Sequence, residues 1–189
     1  MAINVKQMLA DALISLVEEK QLSKITVSEI IRRAGTGRGT FYNHFRDKND
    51  LIFWIFKRTL TGERALVETQ GFYAYLVKLH REAQNVKRFL LQACRMEGQN
   101  ALPEELYYVN YRYYRNFIIE RCGESVITDE IEFALQFNAY AAANMYIRWI
   151  TDKTPASPEE QSRMLLACMP KAIRDFLPLA DFYSGTLAL

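Results

Sequence analysis

Apolar residues recur along this chain at three- and four-residue intervals, and no run alternates apolar and polar positions as a half-buried strand does. The spacing predicts helices at about 3–20, 27–34, 38–44, 48–66, 72–82, 84–96, 103–122, 128–152 and 158–177. Breakers fall between them at Gly71, Gly98, Pro103, Gly123 and the Pro155-Ala156-Ser157-Pro158 linker. Ser157 is placed as an N-cap, with Pro158 at the first helical position and Glu160 three residues after the cap. There are no internal repeats and no low-complexity tracts. The expected fold class is all-α.

The densest local information lies in residues 26–53, TVSEIIRRAGTGRGTFYNHFRDKNDLIF. Thr26 and Glu29 form a capping-box pattern ahead of the apolar positions Val27, Ile30, Ile31 and Ala34. Gly35 falls where a helix end takes a left-handed residue, and Gly37 stands at the next N-cap. Asp47, with Asp50 three residues on, opens a further helix whose dipole favours negative charge. On the short second helix Phe41 and Phe45, four apart, share one face and go to the core. That leaves Arg38, Thr40, Tyr42, Asn43 and His44 for the other faces. Two short helices joined by a glycine-containing turn, the second rich in hydrogen-bonding side chains, form the pattern of a DNA-reading helix-turn-helix.

These residues resemble the DNA-binding domain of the TetR (tetracycline-repressor) family of bacterial regulators. The likeness rests on Ile25-Thr26-Val27, Ile30, Ala34-Gly35, Arg38-Gly39-Thr40-Phe41-Tyr42, His44-Phe45, Lys48 and Leu51. Two positions depart from it: Thr36 stands where the family usually has an apolar residue, and Gly37 where it often has a capping serine. The resemblance implies an N-terminal three-helix helix-turn-helix DNA-binding domain, taken as 1–47, and a C-terminal helical ligand-binding and dimerisation domain, 48–189. It implies a homodimer on a palindromic double-stranded operator, controlled by a small-molecule effector, most simply as a repressor. Docked in a major groove, residues 38–44 put Arg38, Gly39, Thr40 and Asn43 at base edges. Thr26, Tyr42, His44 and Lys48 are expected to position phosphates. In the family the last two long helices pair with their mates as a four-helix bundle; here these are 128–152 and 158–177.

Charge changes the picture only through its distribution. The net charge is +2. Residues 20–48, however, hold Lys20, Lys24, Arg32, Arg33, Arg38, Arg46 and Lys48 against only Glu29 and Asp47, whereas residues 61–189 are slightly acidic. Positive charge thus collects where phosphates would lie. Half the residues are hydrophobic, enough for a sizeable core, yet no apolar run reaches membrane-spanning length. The N-terminal MAINVKQMLADALISLVEEK reads as an amphipathic helix, not a signal peptide. Cys94, Cys122 and Cys168 are far apart and odd in number, as expected of reduced thiols in the cytoplasm, and no spacing suits zinc. No metal, cofactor or membrane partner is expected. No nucleophile–base constellation or glycine-rich phosphate loop points to an enzyme. His80, isolated in a helical stretch, is expected at the surface or satisfied internally.

The C-terminal half is rich in aromatic groups with polar tips. YYVNYRYYRNF over 107–117 sets tyrosines all round a helix, and each hydroxyl needs a partner or water. The next helix is apolar nearly all round, with a small-residue centre, Ala139 to Asn144, that admits a close neighbour. Its polar groups are Asn138, Tyr140, Asn144 and Tyr146, some of which should line a cavity. An apolar or aromatic ligand is therefore expected between these two helices, with Tyr111, Arg115, Tyr140 and Asn144 lining its site. Trp149 followed by Pro155 and Ser157-Pro158-Glu159-Glu160 resembles a C-terminal type common in Firmicutes regulators, one that includes a dihydroxyacetone-kinase operon activator. Two alternatives stay open: a regulator without ligand sensing that acts through a protein partner, and an activator.

Overall fold

A computed structural model describes residues 4–60, 64–95 and 101–178, and these form helices without a strand. The helices are α1 (Val5–Glu19), α2 (Val27–Ala34), α3 (Arg38–Tyr42), α4 (Lys48–Leu60), α5 (Arg64–Asn85), α6 (Lys87–Ala93), α7 (Ala101–Cys122), α8 (Asp129–Thr151), α9 (Pro158–Ala167) and α10 (Lys171–Arg174). A 3-10 turn, Leu22–Lys24, joins α1 to the segment before α2.

The N-terminal helices wrap a core of Leu9, Leu13, Val17, Ile30, Phe41, Leu51 and Phe56. α1 lies against α2, α4 and α6. The C-terminal helices bury Phe72, Leu79, Leu106, Phe117, Leu135, Trp149 and Leu166. Both sets belong to one continuous apolar cluster, and α4 carries it from one to the other by packing on α1, α5 and α7.

Start signals read from the sequence are built as expected. Ser157 caps α9 in a full capping box with Glu160. At α4 the Asp50 backbone N–H donates to Asp47 Oδ1 at 2.8 Å, while Asp50 Oδ2 accepts from the Arg46 N–H at 3.0 Å. The break at Gly71 is also present, with φ 84 and ψ 171 inside α5, a conformation open to glycine and strained for other residues. There the Phe72 N–H leaves the helical ladder and donates to Pro178 O at 2.9 Å.

Three expectations need correction. The helix expected to start at residue 72 starts at Arg64, ahead of Gly71; of the helix expected over 48–66, residues 61–63 lie outside the described residues. The reading helix stops at Tyr42 instead of residue 44. The helix expected over 158–177 ends at Ala167, and α10 restarts after Pro170. A proline has no N–H to give and its ring disfavours the α conformation of the residue before it, so Pro170 divides the segment.

Candidate DNA-reading face and C-terminal cavity

The reading head is assembled from caps. Thr26 Oγ1 accepts from the Glu29 N–H at 3.3 Å, and Glu29 Oε2 accepts from the Thr26 N–H at 2.9 Å. Glu29 also takes the Lys20 ammonium, and that contact with the Thr26 hydrogen bonds holds its carboxyl down at about 2. At the other end Gly35 is left-handed, φ 65 and ψ 30. Its N–H reaches Arg32 O at 3.3 Å and the Thr36 N–H reaches Ile31 O at 3.1 Å, the paired bonds of a Schellman closure. The turn thus closes through its backbone although Thr36 replaces an apolar residue; the Thr36 hydroxyl has no hydrogen-bond partner within the protein.

Phe41 and Phe45 seat α3 on the core, with ring centroids 6.0 Å apart and Phe45 edge-on to Trp54 at 5.9 Å. That fixes the rotation of the helix. Arg38, Gly39, Tyr42, Asn43 and His44 face solvent and Thr40 is half-buried. The Arg38 guanidinium lies 5.6 Å from the Tyr42 ring centroid. A Cβ built on Gly39 meets nothing within 4 Å. The helix does not itself require glycine there.

Two residues assigned to phosphates already hold internal partners. The Thr26 hydroxyl donates to Glu29 Oε2 at 2.9 Å. Lys48 is half-buried, its ammonium donating to the carbonyls of Leu22, Ser23 and Ile25 at 3.0, 3.2 and 2.8 Å. Burial pulls the Lys48 amine below its ordinary value. Lys48 therefore ties α4 to the turn that leads into α2. Arg46, which follows α3 with a side chain 88% exposed, is a cation the sequence reading counted in the basic run without assigning it a contact.

A second feature lies in the C-terminal helices. A cavity of about 50 Å³ lies between α5, α7, α8 and the segment from α9 to Met169, with His80, Tyr114, Asn138 and Tyr146 among its walls. Tyr111, Arg115, Tyr140 and Asn144 do not line it. Tyr111 donates to Glu132, whose carboxylate also lies 3.5 Å from Arg115 Nε, and Arg115 Nη2 reaches Glu124 at 3.3 Å. The Tyr111 phenol is pushed up to about 12 by burial and then by Glu132. Tyr140 is exposed and stacks on Tyr107 at 4.2 Å, and Asn144 caps the Tyr140 carbonyl at 2.8 Å. Helical phase explains the difference: one residue along a helix is a rotation of roughly 100°, so Tyr113 and Tyr114 line this cavity where Tyr111 and Arg115 do not. Of the polar groups on α8, Asn138 and Tyr146 meet the cavity. The small residues also turn inward: Ala139 and Ala143 are buried, Ala142 lines the cavity, and α7 is the helix that packs along this face.

His80 is 1% exposed, the internal one of its two expected placements, and it is satisfied at one ring nitrogen only. Its Nδ1 lies 2.8 Å from Leu76 O and 3.0 Å from Ser162 Oγ. A carbonyl only accepts, so Nδ1 carries the proton and Nε2 presents a lone pair. That Nε2 has no partner within the protein. Burial holds the imidazole down at about 4, outweighing the opposing bond to Leu76. The unfolded chain then binds a proton near the ordinary histidine value while the folded chain stays neutral. The buried imidazole therefore destabilises the fold as pH falls from about 6.5 toward 4. By linkage the loss is about 2 kcal/mol at pH 5. Urea titrations at pH 7 and pH 5 should show wild type losing that much more than His80→Phe; equal losses would contradict the assignment.

On α8 several apolar side chains are uncovered. Phe133 is 71% exposed, Phe137 57%, Tyr140 58% and Met145 43%, and Met164 of α9 is 44% exposed. Among the described residues no helix is long and apolar enough to cross a membrane, and no group of His, Cys, Asp and Glu could hold a metal ion.

Comparison with known proteins fits these two regions. Residues 9–54 match the family described as bacterial regulatory proteins, tetR family, and residues 71–171 match a transcriptional regulator C-terminal region of the same group. The HTH-type transcriptional regulator YvdT of Bacillus subtilis (strain 168) is 46% identical over 50 residues, 26% of each chain. The regulator SAB2452 of Staphylococcus aureus (strain bovine RF122 / ET3-1) is 36% identical over 59 residues, 31% of this chain and 32% of that one. The chain thus spans about a quarter to a third of the length of these relatives. Among solved structures, the dihydroxyacetone kinase operon activator DhaS superposes with a TM-score of 0.70 at 19% identity, covering 93% of this chain and 99% of its own. A TetR transcriptional regulator from Streptococcus agalactiae 2603V gives 0.52 at 22%, covering 88% and 94%. At these identities the two structures establish the shared fold.

Proposed function

The chain belongs to the tetR family of bacterial regulatory proteins and is a transcriptional regulator, not an enzyme, and on that premise we propose that it works as a two-fold dimer whose paired α3 helices read an operator while an effector in the C-terminal cavity controls the reading. Residues up to Asp47 supply the reading head, and residues from Lys48 onward supply the dimer and the effector site.

Gly39 is the observation that carries the reading role. Glycine inside a helix costs roughly 0.5–1 kcal/mol relative to alanine, and the space around this one is open within the protein. A glycine there leaves the backbone open to close approach by a base edge. Arg38, Thr40 and Asn43 flank it as base contacts; Tyr42, His44 and the N-terminal ends of α2 and α4 at Thr26 and Lys48 set the phosphates. Gly39→Ala is expected to raise unfolding stability by about 0.5–1 kcal/mol and to weaken operator binding at least tenfold. Thermal denaturation and fluorescence anisotropy on an operator selected from random duplexes measure the two; unchanged affinity would remove α3 from the groove.

Two-fold pairing is supported by Phe133, Phe137 and Tyr140, uncovered on one face of α8. Exposed apolar side chains grouped in this way mark interaction surfaces, and two heads about 34–36 Å apart fit successive major grooves.

Coupling between cavity and head runs through α6 as well as α4. The Tyr146 hydroxyl on the cavity wall is near Cys94 at the end of α6, and Gln92 of α6 accepts the Leu22 N–H at 2.6 Å. Leu22 starts the turn whose carbonyls hold Lys48 and whose chain continues to the Thr26 cap. A ligand that displaces Tyr146 moves this turn and so the angle of α2 and α3. Gln92→Leu is expected to leave operator affinity within about threefold while reducing the effector response; a few tenfold of coupling corresponds to about 1–3 kcal/mol. Anisotropy with and without effector checks it, and an undiminished response would place the coupling elsewhere.

Repression needs only an occupied operator. Activation, the role in the name of the structural neighbour DhaS, also needs contact with the transcription machinery. Transcript levels in a deletion strain separate the two.

A further inference from the structure

The cavity is small and largely buried, its walls are largely aliphatic and aromatic, and among the described residues lining it there is no Asp, Glu, Lys or Arg. A charged guest would be buried without a counter-charge, which is strongly disfavoured. Three wall residues nevertheless carry buried polar atoms with hydrogen-bonding capacity left over: His80 Nε2, the Tyr146 hydroxyl, and Asn138 Nδ2, whose other N–H is directed at Tyr114. Their side chains are 1%, 5% and 6% exposed. Buried polar groups are normally paired, and each left unmet costs about 1–3 kcal/mol. All three belong to residues that line the cavity, and their unmet capacity is the chemistry a guest there would meet.

The three differ in kind. With its proton on Nδ1, His80 offers a lone pair at Nε2 and accepts a hydrogen bond. An amide nitrogen such as Asn138 Nδ2 donates only, and the Tyr146 hydroxyl does either. The Tyr146 phenol is pushed upward by burial and stays protonated. The complement is a molecule with one hydroxyl to donate and one neighbouring oxygen to accept. A single water takes roughly 10–15 Å³ on this scale, so a cavity of about 50 Å³ suits a guest of only a few heavy atoms.

We propose that this cavity is a binding site for a short, uncharged diol or hydroxycarbonyl compound, its hydroxyl donating to His80 Nε2 and its second oxygen accepting from Asn138 Nδ2 and Tyr146. The inference rests on the reading of the cavity as the effector site and gives that effector its chemical class. Trp149 supplies the reporter, because its ring lies edge-on to His80 at 4.9 Å.

The test is a titration of the full-length Trp54→Phe protein, in which Trp149 is the only tryptophan, with four nearly isosteric probes and a fifth. Propane-1,2-diol and hydroxyacetone are neutral, lactate is an anion and protonated 1-amino-2-propanol is a cation. Butan-2-ol keeps one hydroxyl and replaces the other by methyl. The affinity ceiling per non-hydrogen atom places five-atom guests in the micromolar to millimolar range. At least one neutral two-oxygen probe is expected to saturate the Trp149 signal. The charged probes and butan-2-ol are expected to bind at least tenfold more weakly. His80→Phe and Asn138→Leu remove the acceptor and the donor while filling the same space. Each should fold with an unchanged or raised Tm and bind the neutral probe at least tenfold more weakly. No saturation by either neutral probe, equal binding of a charged isostere, or indifference to both substitutions overturns the proposal. Operator anisotropy on the same samples separates the two readings. A neutral probe that binds as described but leaves DNA affinity unchanged supports the site and overturns its role as effector site; retained operator selection without probe binding overturns the site alone.

Discussion

A Phe137→Glu chain is expected to run as a monomer at micromolar concentration and to lose at least a hundredfold in operator affinity. The side chain is 57% exposed in the single chain and shares its face of α8 with the exposed Phe133 and Tyr140. In isolation a carboxylate there is solvated and the fold is untouched, so far-ultraviolet circular dichroism should match wild type. Across a two-fold axis the same patch meets itself, and the substitution buries two carboxylates without partners, a change of several kcal/mol. The affinity loss follows because one short reading helix supplies little beyond phosphate attraction. Non-specific binding lies at roughly 10⁻⁴–10⁻⁶ M and specific dimers at about 10⁻⁸–10⁻¹¹ M. Ala142, at the small-residue centre of α8, is the wrong position for this experiment, because it lines the cavity and a charge there injures the fold. Sedimentation and light scattering decide the matter; a Phe137→Glu dimer of wild-type strength would move the interface off this face.

Phe41→Ala is expected to cost about 3–5 kcal/mol at the reading head, the range for removing a buried phenylalanine. Phe41 is fully buried and touches Tyr42 at 5.3 Å and Phe45 at 6.0 Å between ring centroids. α3 has five residues and no side-chain cap, far too few for a helix to persist without packing. Phe41 and Phe45 are therefore what hold Arg38 and Asn43 in orientation, and DNA binding should vanish with them. In a Trp149→Phe background only Trp54, edge-on to Phe45, reports, so urea titration of its fluorescence reads this region directly. A cost below about 1 kcal/mol would mean that the head is held by something other than its aromatic base.

The reading head was legible in the sequence because each of its features is local. Thr26 with Glu29, Gly35, and Phe41 with Phe45 act over three to six residues, and the structure builds each as the spacing requires. The solvent side of α3 then follows by subtraction. The cavity was not legible in the same way. α7 and α8 are apolar or aromatic on nearly every side, so periodicity gives them no phase, and the residues chosen for the ligand site fell outside the lining of this cavity. His80 gains its position from Ser162, 82 residues away, and from burial by α8, neither of which spacing records. The division of the last helical segment is written in Pro170, a breaker that the reading of 158–177 as one helix left out.

Selection of duplexes by the purified protein from a random pool, followed by backbone protection on the enriched sequence, tests the central claim most directly. The account expects one enriched palindromic site, protected on two half-sites about 34–36 Å apart, with Asn43→Ala relaxing base preference symmetrically in both. No enrichment above random duplex, or protection of a single unpaired half-site, would contradict it.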